Sequence, residues 1–398
     1  MSSVQITDTI FFTDDVDPPA IRAFNLGTRQ ISLVLSYTME TPAIREGISP
    51  LHPDGYNRTL RPRSMVFVED SNDRAALYWA DACTHVEKRQ ALIGRGCAWA
   101  APGRCLGGAW LRRLGHRCSR AFEATQAGAG AILGKRLDDS PMDVVAPGLS
   151  SPEALVAWKP LSGGGAGAGG LRLYWSDVGA NRIDTCFLEG SGDTLLKCGE
   201  VTALRSDVPA VTGLALDPAS QTLYWADSNQ MRLQAAPLND PAAETTVVEP
   251  VRLPTAIAVQ PSMGKFSGAV FFIDQATPAT LSKVWLNGSG TRELMSGGLS
   301  QPRAAVYQLG ACYVADPGTG SLLVIEEHGA YTSVLYPPAE GPRIPIRPRG
   351  IAMRDDVDGR LGSAYGSLAS AASHSQAAHT PWLLLALAVG WLRGQRYA

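Results

Sequence analysis

A short aromatic strand that ends in an aspartate recurs along this chain, and it limits the folds that the chain can adopt. The clearest copy reads Leu-Tyr-Trp-Ser-Asp at residues 173–177. The six copies, in chain order, lie at residues 10–14, 77–81, 173–177, 223–227, 270–274 and 312–316. A strand repeated in this way predicts a repeat architecture, in which each unit buries its face against the next unit.

The spacing of the six aspartates indicates which repeat architecture this is. The last three steps between them are 50, 47 and 42 residues, within the range of roughly 40 to 50 residues expected for one propeller blade. The first two steps, of 67 and 96 residues, are longer. They predict two inserts, a shorter one near residues 39–60 and a longer one at about 83–127.

Each unit contains further strands around the aromatic one. A run of small and aliphatic residues precedes it, most clearly at residues 209–217, and small residues suit strands that converge on a propeller axis. A third strand ending in a Gly-rich turn follows, as at residues 182–192, and then a fourth. Four strands in every unit predict an all-β chain made of four-stranded blades.

The two ends of the repeat region complement each other. The first unit opens on its aromatic strand, whereas residues 350–353 read as a first strand with no blade after it. Pairing the two would remove an open sheet edge. We therefore predict a six-bladed β-propeller over residues 1–356, closed by pairing of the C-terminal inner strand with the N-terminal blade.

Composition excludes one class of partner and leaves the cellular location open. The 398 residues carry a formal net charge of -2, so no basic surface predicts nucleic-acid binding. The N-terminus shows no secretory signal as it stands, and it opens almost directly on a strand, which also suits a fragment. A Ser/Ala/Gly-rich linker is expected at residues 357–380. It precedes a short hydrophobic tail with a basic end at residues 381–398.

This tail and the longer insert admit several interpretations. The tail contains a hydrophobic run of 12 residues, at 381–392, whereas a membrane-spanning helix needs about 20. Two interpretations are therefore open: membrane association, through a short span or a lipid-anchor signal, and a segment that packs on the protein. The insert at 83–127 contains four cysteines. A small disulfide-linked excursion and a segment absent from the mature protein are both open, and we expect a poorly ordered loop. The Cys and His spacings match no standard zinc site.

The repeated motif resembles that of a known family. The Leu-Tyr-Trp-(Ser/Ala)-Asp strand, the preceding Gly-Leu-Ala-Leu-Asp and the following Leu-Glu-Gly-Ser-Gly are similar to the six-bladed YWTD propellers of low-density lipoprotein receptors, their relatives and nidogen. The resemblance implies a non-catalytic role, with a protein ligand bound on one propeller face. It also implies an extracellular or cell-surface, membrane-associated setting in a receptor-like or matrix protein.

The repeated aspartates and aromatic residues are predicted to have a structural role. A catalytic residue is needed once, whereas these side chains recur at equivalent places, where buried carboxylates would accept hydrogen bonds from backbone N–H groups. The structural repeat residues are Phe12, Asp14, Tyr78, Trp79, Asp81, Tyr174, Trp175, Asp177, Tyr224, Trp225, Asp227, Phe272, Asp274, Tyr313 and Asp316.

Two pairs of residues predict covalent modification if the protein is secreted. Cys186 and Cys198 lie on neighbouring strands of one predicted hairpin, so a disulfide and two separate thiols are both open. Asn57 and Asn287 begin Asn-x-Ser/Thr sequences on predicted loops, which are acceptors for glycosylation.

An enzyme and an intracellular scaffold are the alternatives to a binding protein. Six-bladed propellers include calcium-dependent lactonases and strictosidine-synthase-like enzymes, which use the central channel. Here the first strands end in a mixed set of residues, which makes a poor cage for a hard cation. That set is Asp70, Lys159, Asp217, Gln260, Gln308 and Arg354. We therefore predict no catalytic residue, no metal and no cofactor.

Overall fold

A computed structural model describes most of the repeat region. The residues it describes are 9–16, 19–36, 56–59, 61–69, 74–82, 85–88, 130–138, 140, 142–159, 170–190, 194–262, 268–286, 292–308, 310–326, 332–338 and 343–354. The predicted linker at 357–380, the tail at 381–398 and most of the insert at 83–127 lie outside these residues.

The described residues form six four-stranded antiparallel sheets, which we number as blades one to six. Blade one contains β1 (Thr9–Asp14), β2 (Ala20–Asn25), β3 (Ile31–Ser36) and the last strand, β26 (Pro348–Met353). Blade two contains β5 (Pro62–Glu69), β6 (Ala75–Asp81), β8 (Gly130–Arg136) and β9 (Asp143–Leu149). Blade three contains β10 (Pro152–Trp158), β11 (Arg172–Asp177), β12 (Arg182–Glu189) and β13 (Lys197–Ser206).

The remaining blades follow one another along the chain without interruption. Blade four contains β14 (Val211–Asp217), β15 (Thr222–Asp227), β16 (Arg232–Pro237) and β17 (Thr245–Val248). Blade five contains β18 (Pro254–Gln260), β19 (Ala269–Asp274), β20 (Ala279–Trp285) and β21 (Arg292–Leu299). Blade six contains β22 (Ala304–Gln308), β23 (Ala311–Asp316), β24 (Ser321–Glu326) and β25 (Thr332–Tyr336). A 3-10 turn, Val178–Ala180, follows β11.

The first strands of the blades surround a common axis. In the cyclic order β26, β5, β10, β14, β18 and β22, each strand contacts the next, and β22 contacts β26 to close the ring. An apolar cluster fills each interface between neighbouring blades, so that every blade packs on two others. The prediction of an all-β six-bladed propeller is therefore confirmed.

The ring closes at blade one, as predicted from the two chain ends. Phe12 of β1 lies opposite Ile351 of β26. The hydroxyl of Thr13 accepts a hydrogen bond from the Gly350 N–H at 2.6 Å and donates one to the Arg63 carbonyl at 2.9 Å. The closing strand is thus joined to blade one and, through Thr13, to blade two.

The two predicted inserts meet in a small additional sheet. Strand β4 (Tyr56–Thr59), within the shorter insert, pairs with β7 (His85–Lys88) in the longer one. Residues 85–88 therefore form a strand in the segment for which we expected a poorly ordered loop. The insert leaves blade two between its second and third strands, because β6 pairs directly with β8.

Candidate functional site

The six repeated aspartates lie at one end of the propeller, where the second strands end and the first strands begin. Antiparallel pairing places Asp177 opposite Pro152, and Asp274 lies opposite Pro254 in the same way. We call this end the aspartate face, defined by Asp14, Asp81, Asp177, Asp227, Asp274 and Asp316. It carries the turns between second and third strands and the links between successive blades.

The aspartate side chains are buried and bind the backbone of the links that enter their blades. Asp177 accepts hydrogen bonds from the N–H groups of Ser150 at 2.8 Å, Ser151 at 2.7 Å and Ala180 at 3.3 Å. Asp316 accepts three in the same pattern, from residues 300, 301 and 318. These carboxylates therefore hold the loops of the aspartate face in a fixed conformation, and none of these oxygens is directed at solvent.

The other blades vary this arrangement. Asp274 accepts from three N–H groups, those of residues 252, 253 and 276. Asp14 accepts from the N–H groups of residues 16 and 347 and from the Nε of Arg22. Asp81 accepts from the N–H of residue 61, and Asp227 from that of residue 230.

The aromatic members of the motif are buried inside the blades and between them. Trp79, Trp175 and Trp225 are fully buried. Tyr313 is half-buried. The other five are buried: Phe12, Tyr78, Tyr174, Tyr224 and Phe272. Burial raises the pKa of the Tyr174 phenol, and it likewise raises that of Tyr313. These side chains supply packing to the propeller, and all of them except Tyr313 are withdrawn from the surface.

Large apolar side chains are exposed on the aspartate face. Met231, in the turn between β15 and β16, is 51% exposed, and Leu253, just before β18, is 42% exposed. The two segments touch, because the Val251 N–H donates to the Met231 carbonyl at 2.7 Å. Ile344, in the link that enters β26, is 45% exposed. The aspartate face therefore combines a rigid backbone with apolar side chains open to contact.

The central channel opens on this face through a ring of side chains. Each blade contributes one residue to the channel mouth. Five of these residues are the second residue of a first strand, and Arg303 lies just before β22. The channel mouth is formed by Arg63, Glu153, Thr212, Thr255, Arg303 and Arg349. Arg63 lies 3.5 Å from Glu153, whereas Arg349 pairs with Asp15 at 2.8 Å. Below the mouth the walls are mainly aliphatic and enclose a cavity of about 200 Å³.

Sequence reasoning did not identify the channel mouth, although a signal for it was present. In blades one, two, three, five and six, the mouth residue directly follows a proline that begins or precedes the first strand. Comparing that one position across the repeats shows three arginines and a glutamate. The residues predicted to line the channel lie at the opposite ends of these strands.

At the opposite ends of the first strands, the described members of the predicted set include one acidic side chain, that of Asp217, and Asp70 lies outside the described residues. The Asp217 carboxylate accepts hydrogen bonds from the Ala219 N–H at 3.0 Å and the Ser220 hydroxyl at 2.7 Å, which makes it a turn cap. Arg354 pairs with Glu69 at 2.8 Å. Among the described residues, no three His, Cys, Asp or Glu side chains are grouped to hold a metal ion.

The structure also locates part of the predicted modification sites. Cys186 and Cys198 form a disulfide between β12 and β13, while Cys312 is buried in blade six. Asn57 lies in β4 rather than in the predicted loop, whereas Asn287 lies outside the described residues. In the part of the chain that the structure describes, no helix is both long and apolar enough to cross a bilayer.

The sequence is similar to parts of receptor and matrix proteins. A low-density lipoprotein receptor-related protein 5-like protein of Homo sapiens is 24% identical over 155 residues, which are 38% of this chain and 57% of that protein. Nidogen of Drosophila melanogaster is 30% identical over 77 residues, 19% of this chain and 5% of that protein. The chain thus spans little more than half of the first relative and a small part of the second. No protein-family model matches it.

The fold is similar to that of a solved propeller. A chain in the crystal structure of a nidogen/laminin complex superposes with a TM-score of 0.55 and 15% sequence identity. The superposition covers 88% of this chain and 99% of that chain. The likeness therefore extends over the whole propeller.

Proposed function

We propose that this chain, whose propeller is of the low-density lipoprotein receptor YWTD type, is a non-catalytic protein-binding module of a receptor-like or matrix protein. The observation that carries the proposal is the aspartate face, with Met231 and Leu253 exposed side by side on a backbone fixed by buried carboxylates. The partner is a protein ligand bound on this face.

Both the rigidity and the chemistry of this face suit protein recognition. A preorganised surface loses little conformational entropy when it binds. Methionine, large apolar residues and arginine are enriched in protein interfaces, and here Met231 and Leu253 lie near the exposed Arg252. Binding of this kind needs no catalytic group, in keeping with carboxylates that are already hydrogen-bonded.

An extracellular location with membrane association through the tail at 381–398 completes the proposal. The Cys186–Cys198 disulfide supports an oxidising compartment, since such bonds are rare in the cytosol. The relatives include a receptor-related protein and nidogen. Glycosylation at Asn57 and Asn287 would accompany secretion.

The binding role is tested with a secreted propeller, applied to intact cultured cells and to immobilised laminin, the partner of the nidogen neighbour. We expect saturable binding to one of these, which Met231→Asp combined with Leu253→Asp reduces strongly. The matched control is Leu33→Asp with Leu294→Asp, two leucines that are more exposed than Met231 and Leu253 and lie on the outer strands of blades one and five. Absence of saturable binding, or an equal loss in both folded variants, would reject the proposal.

The location is tested by glycosidase treatment of the protein made in eukaryotic cells from its full transcript, with cell-surface labelling alongside. We expect a mobility shift that becomes smaller in Asn287→Gln, together with surface label. A protein with neither shift nor label would be an intracellular scaffold, and the similarity to receptor-related proteins would then concern the fold alone.

A further inference from the structure

Four residues with side chains adopt the left-handed backbone conformation in one sector of the aspartate face. With φ values from 54° to 60°, they are Asn181, Asp207, Ala210 and Met231. The structure describes two more residues of this kind, Arg29 and Gln221, both in hairpins at the opposite end of the propeller. This conformation is unfavourable for most residues other than glycine, asparagine and aspartate. Such residues cluster at functional sites, so this sector is a candidate contact site.

Met231 is the residue of this sector whose side chain suits the conformation least. It stands four residues after the repeated aspartate, a position held by Asn181 in blade three and by Gly320, with a φ of 64°, in blade six. Asparagine and glycine favour the left-handed conformation, whereas methionine does not. Because the Met231 side chain is half-exposed, packing inside the fold does not account for a methionine at this position.

Backbone hydrogen bonds hold the sector in its conformation. The Met231 carbonyl accepts the N–H of Val251, in the link into blade five, at 2.7 Å. The carbonyls of Ala210 and Asn181 each accept one more backbone N–H, at 3.1 Å and 3.0 Å. We call the sector the blade-four rim, defined by Asn181, Asp207, Ala210, Met231 and Leu253. It presents its two apolar side chains in one fixed arrangement, which limits the entropy lost on binding.

The charges on the blade-four rim favour a basic partner. Asp207 and Glu249 are exposed, and neither carboxylate has a side-chain partner in the part of the chain that the structure describes. Asp227, buried beneath the turn of Met231, accepts a hydrogen bond on Oδ1 and none from the described residues on Oδ2, so its negative charge is only partly compensated. Arg252, also exposed, supplies one opposite charge, while two nearby arginines pair with Glu244. The excess of carboxylates attracts a positive charge.

From these observations we propose that the partner presents an apolar side chain to Met231 and Leu253, and a neighbouring lysine or arginine to the carboxylates of Asp207 and Glu249. The partner class rests on the protein-binding function proposed above, and it places the contact on the blade-four rim rather than at the channel mouth. Met231 is the anchor of this contact. Its burial removes apolar surface from water, and its conformation is fixed before the partner arrives.

The test measures stability and binding on the same secreted propeller, with intact cultured cells and immobilised laminin as the probes. Met231→Asn gives blade four the residue that blade three has at this position. It should keep or raise the urea midpoint, because asparagine suits the left-handed conformation, and it should weaken binding at least about tenfold. Met231→Leu keeps an apolar side chain of similar volume, so binding should stay within about threefold of wild type.

Gln221→Asn is the matched control for the backbone effect. Gln221 has a φ of 53°, is exposed, and accepts the Leu238 N–H on its carbonyl at 2.9 Å, but it lies at the opposite end of the propeller. This change should keep or raise the urea midpoint in the same way and leave binding unchanged. If Met231 had a structural role instead, Met231→Asn would lower the midpoint, and that result would overturn the proposal.

Charge variants test the class of partner. Asp207→Asn combined with Glu249→Gln should weaken binding several-fold and reduce its sensitivity to salt, whereas Arg252→Gln should not weaken it. The opposite pattern would identify an acidic partner and overturn the proposal. Saturable binding that Met231→Asn leaves unchanged would also overturn it, while the protein-binding function itself would stand. Absence of saturable binding to both probes would reject the two together.

Discussion

The indole N–H of Trp225 donates a hydrogen bond of 2.8 Å to the side-chain oxygen of Gln234, its cross-strand neighbour. Both side chains are buried. The amide nitrogen of Gln234 in turn donates to Glu244, and Glu244 pairs with Arg205 of blade three at 2.5 Å. One tryptophan of the repeat is therefore linked through three polar side chains to the neighbouring blade. In blade two the corresponding tryptophan, Trp79, faces Leu133 instead.

This chain of contacts predicts the cost of removing the acceptor. Gln234→Leu leaves the buried indole N–H of Trp225 without a partner, so we expect the free energy of unfolding to fall by about 1–3 kcal/mol. Urea denaturation followed by tryptophan fluorescence and circular dichroism measures it. Combining Gln234→Leu with Trp225→Phe, which removes the donor, should cost clearly less than the sum of the two single changes. Strict additivity would show that the hydrogen bond contributes little.

A second prediction compares two aspartates of the repeat. Asp177 accepts three backbone hydrogen bonds, whereas Asp227 accepts one from residue 230, and its second oxygen has no partner among the described residues. Asp177→Ala leaves three donors without their acceptor and should cost at least about 3 kcal/mol, against roughly 1–2 kcal/mol for Asp227→Ala. Urea midpoints of the two variants check the order. Equal losses of stability in the two variants would mean that the number of hydrogen bonds an aspartate accepts does not determine the cost of removing it.

Local patterns in the sequence were sufficient to predict the blades. The Tyr-Trp-Ser-Asp strand and the small-residue run each lie within about ten residues, and their recurrence indicated both the number of blades and the closure by residues 350–353. The blade plan follows from local chemistry that each unit repeats.

The channel mouth and the linked side chains depend on distant segments. Arg63, Thr255 and Arg303 come from three blades. Each follows a proline, but only the ring of first strands shows that the three positions surround one opening. The Cys186–Cys198 bond crosses an irregularity in the β12–β13 register, where Cys198 lies opposite Leu188. A shift of this kind depends on packing between blades, so the sequence left the disulfide and two free thiols equally open.

A third prediction concerns the closing strand. A Cβ placed on Gly350 would lie 2.1 Å from the Arg63 carbonyl oxygen, a backbone atom that cannot rotate away. Gly350→Ala should therefore separate β26 from blade two and lower the thermal midpoint by several degrees, as expected for a loss of about 2 kcal/mol or more. The matched control is Gly297→Ala in β21, where a Cβ meets nothing within 4 Å. A similar effect of both changes would contradict the closure contact.

The final prediction concerns alkaline pH. Burial, and then the negative charge of Asp217, raise the pKa of the Tyr224 phenol from 10.0 to about 12. An unfolded chain releases this proton near pH 10, so the folded protein holds more protons than the unfolded one between about pH 10 and 12. The contribution of Tyr224 is therefore complete below pH 10 and is lost as the pH rises towards 12.

Tyr224→Phe removes this titration and should reduce the decline in stability over that interval, whatever it does to stability at neutral pH. Urea midpoints of wild type and variant at pH 8 and pH 11 measure the difference. Asp217→Asn removes the repulsive charge and one of the two acceptor oxygens of the turn. It should reduce the decline by less than Tyr224→Phe, because burial is the larger cause of the raised pKa. If wild type and Tyr224→Phe lose the same stability between the two pH values, the phenol does not carry the effect.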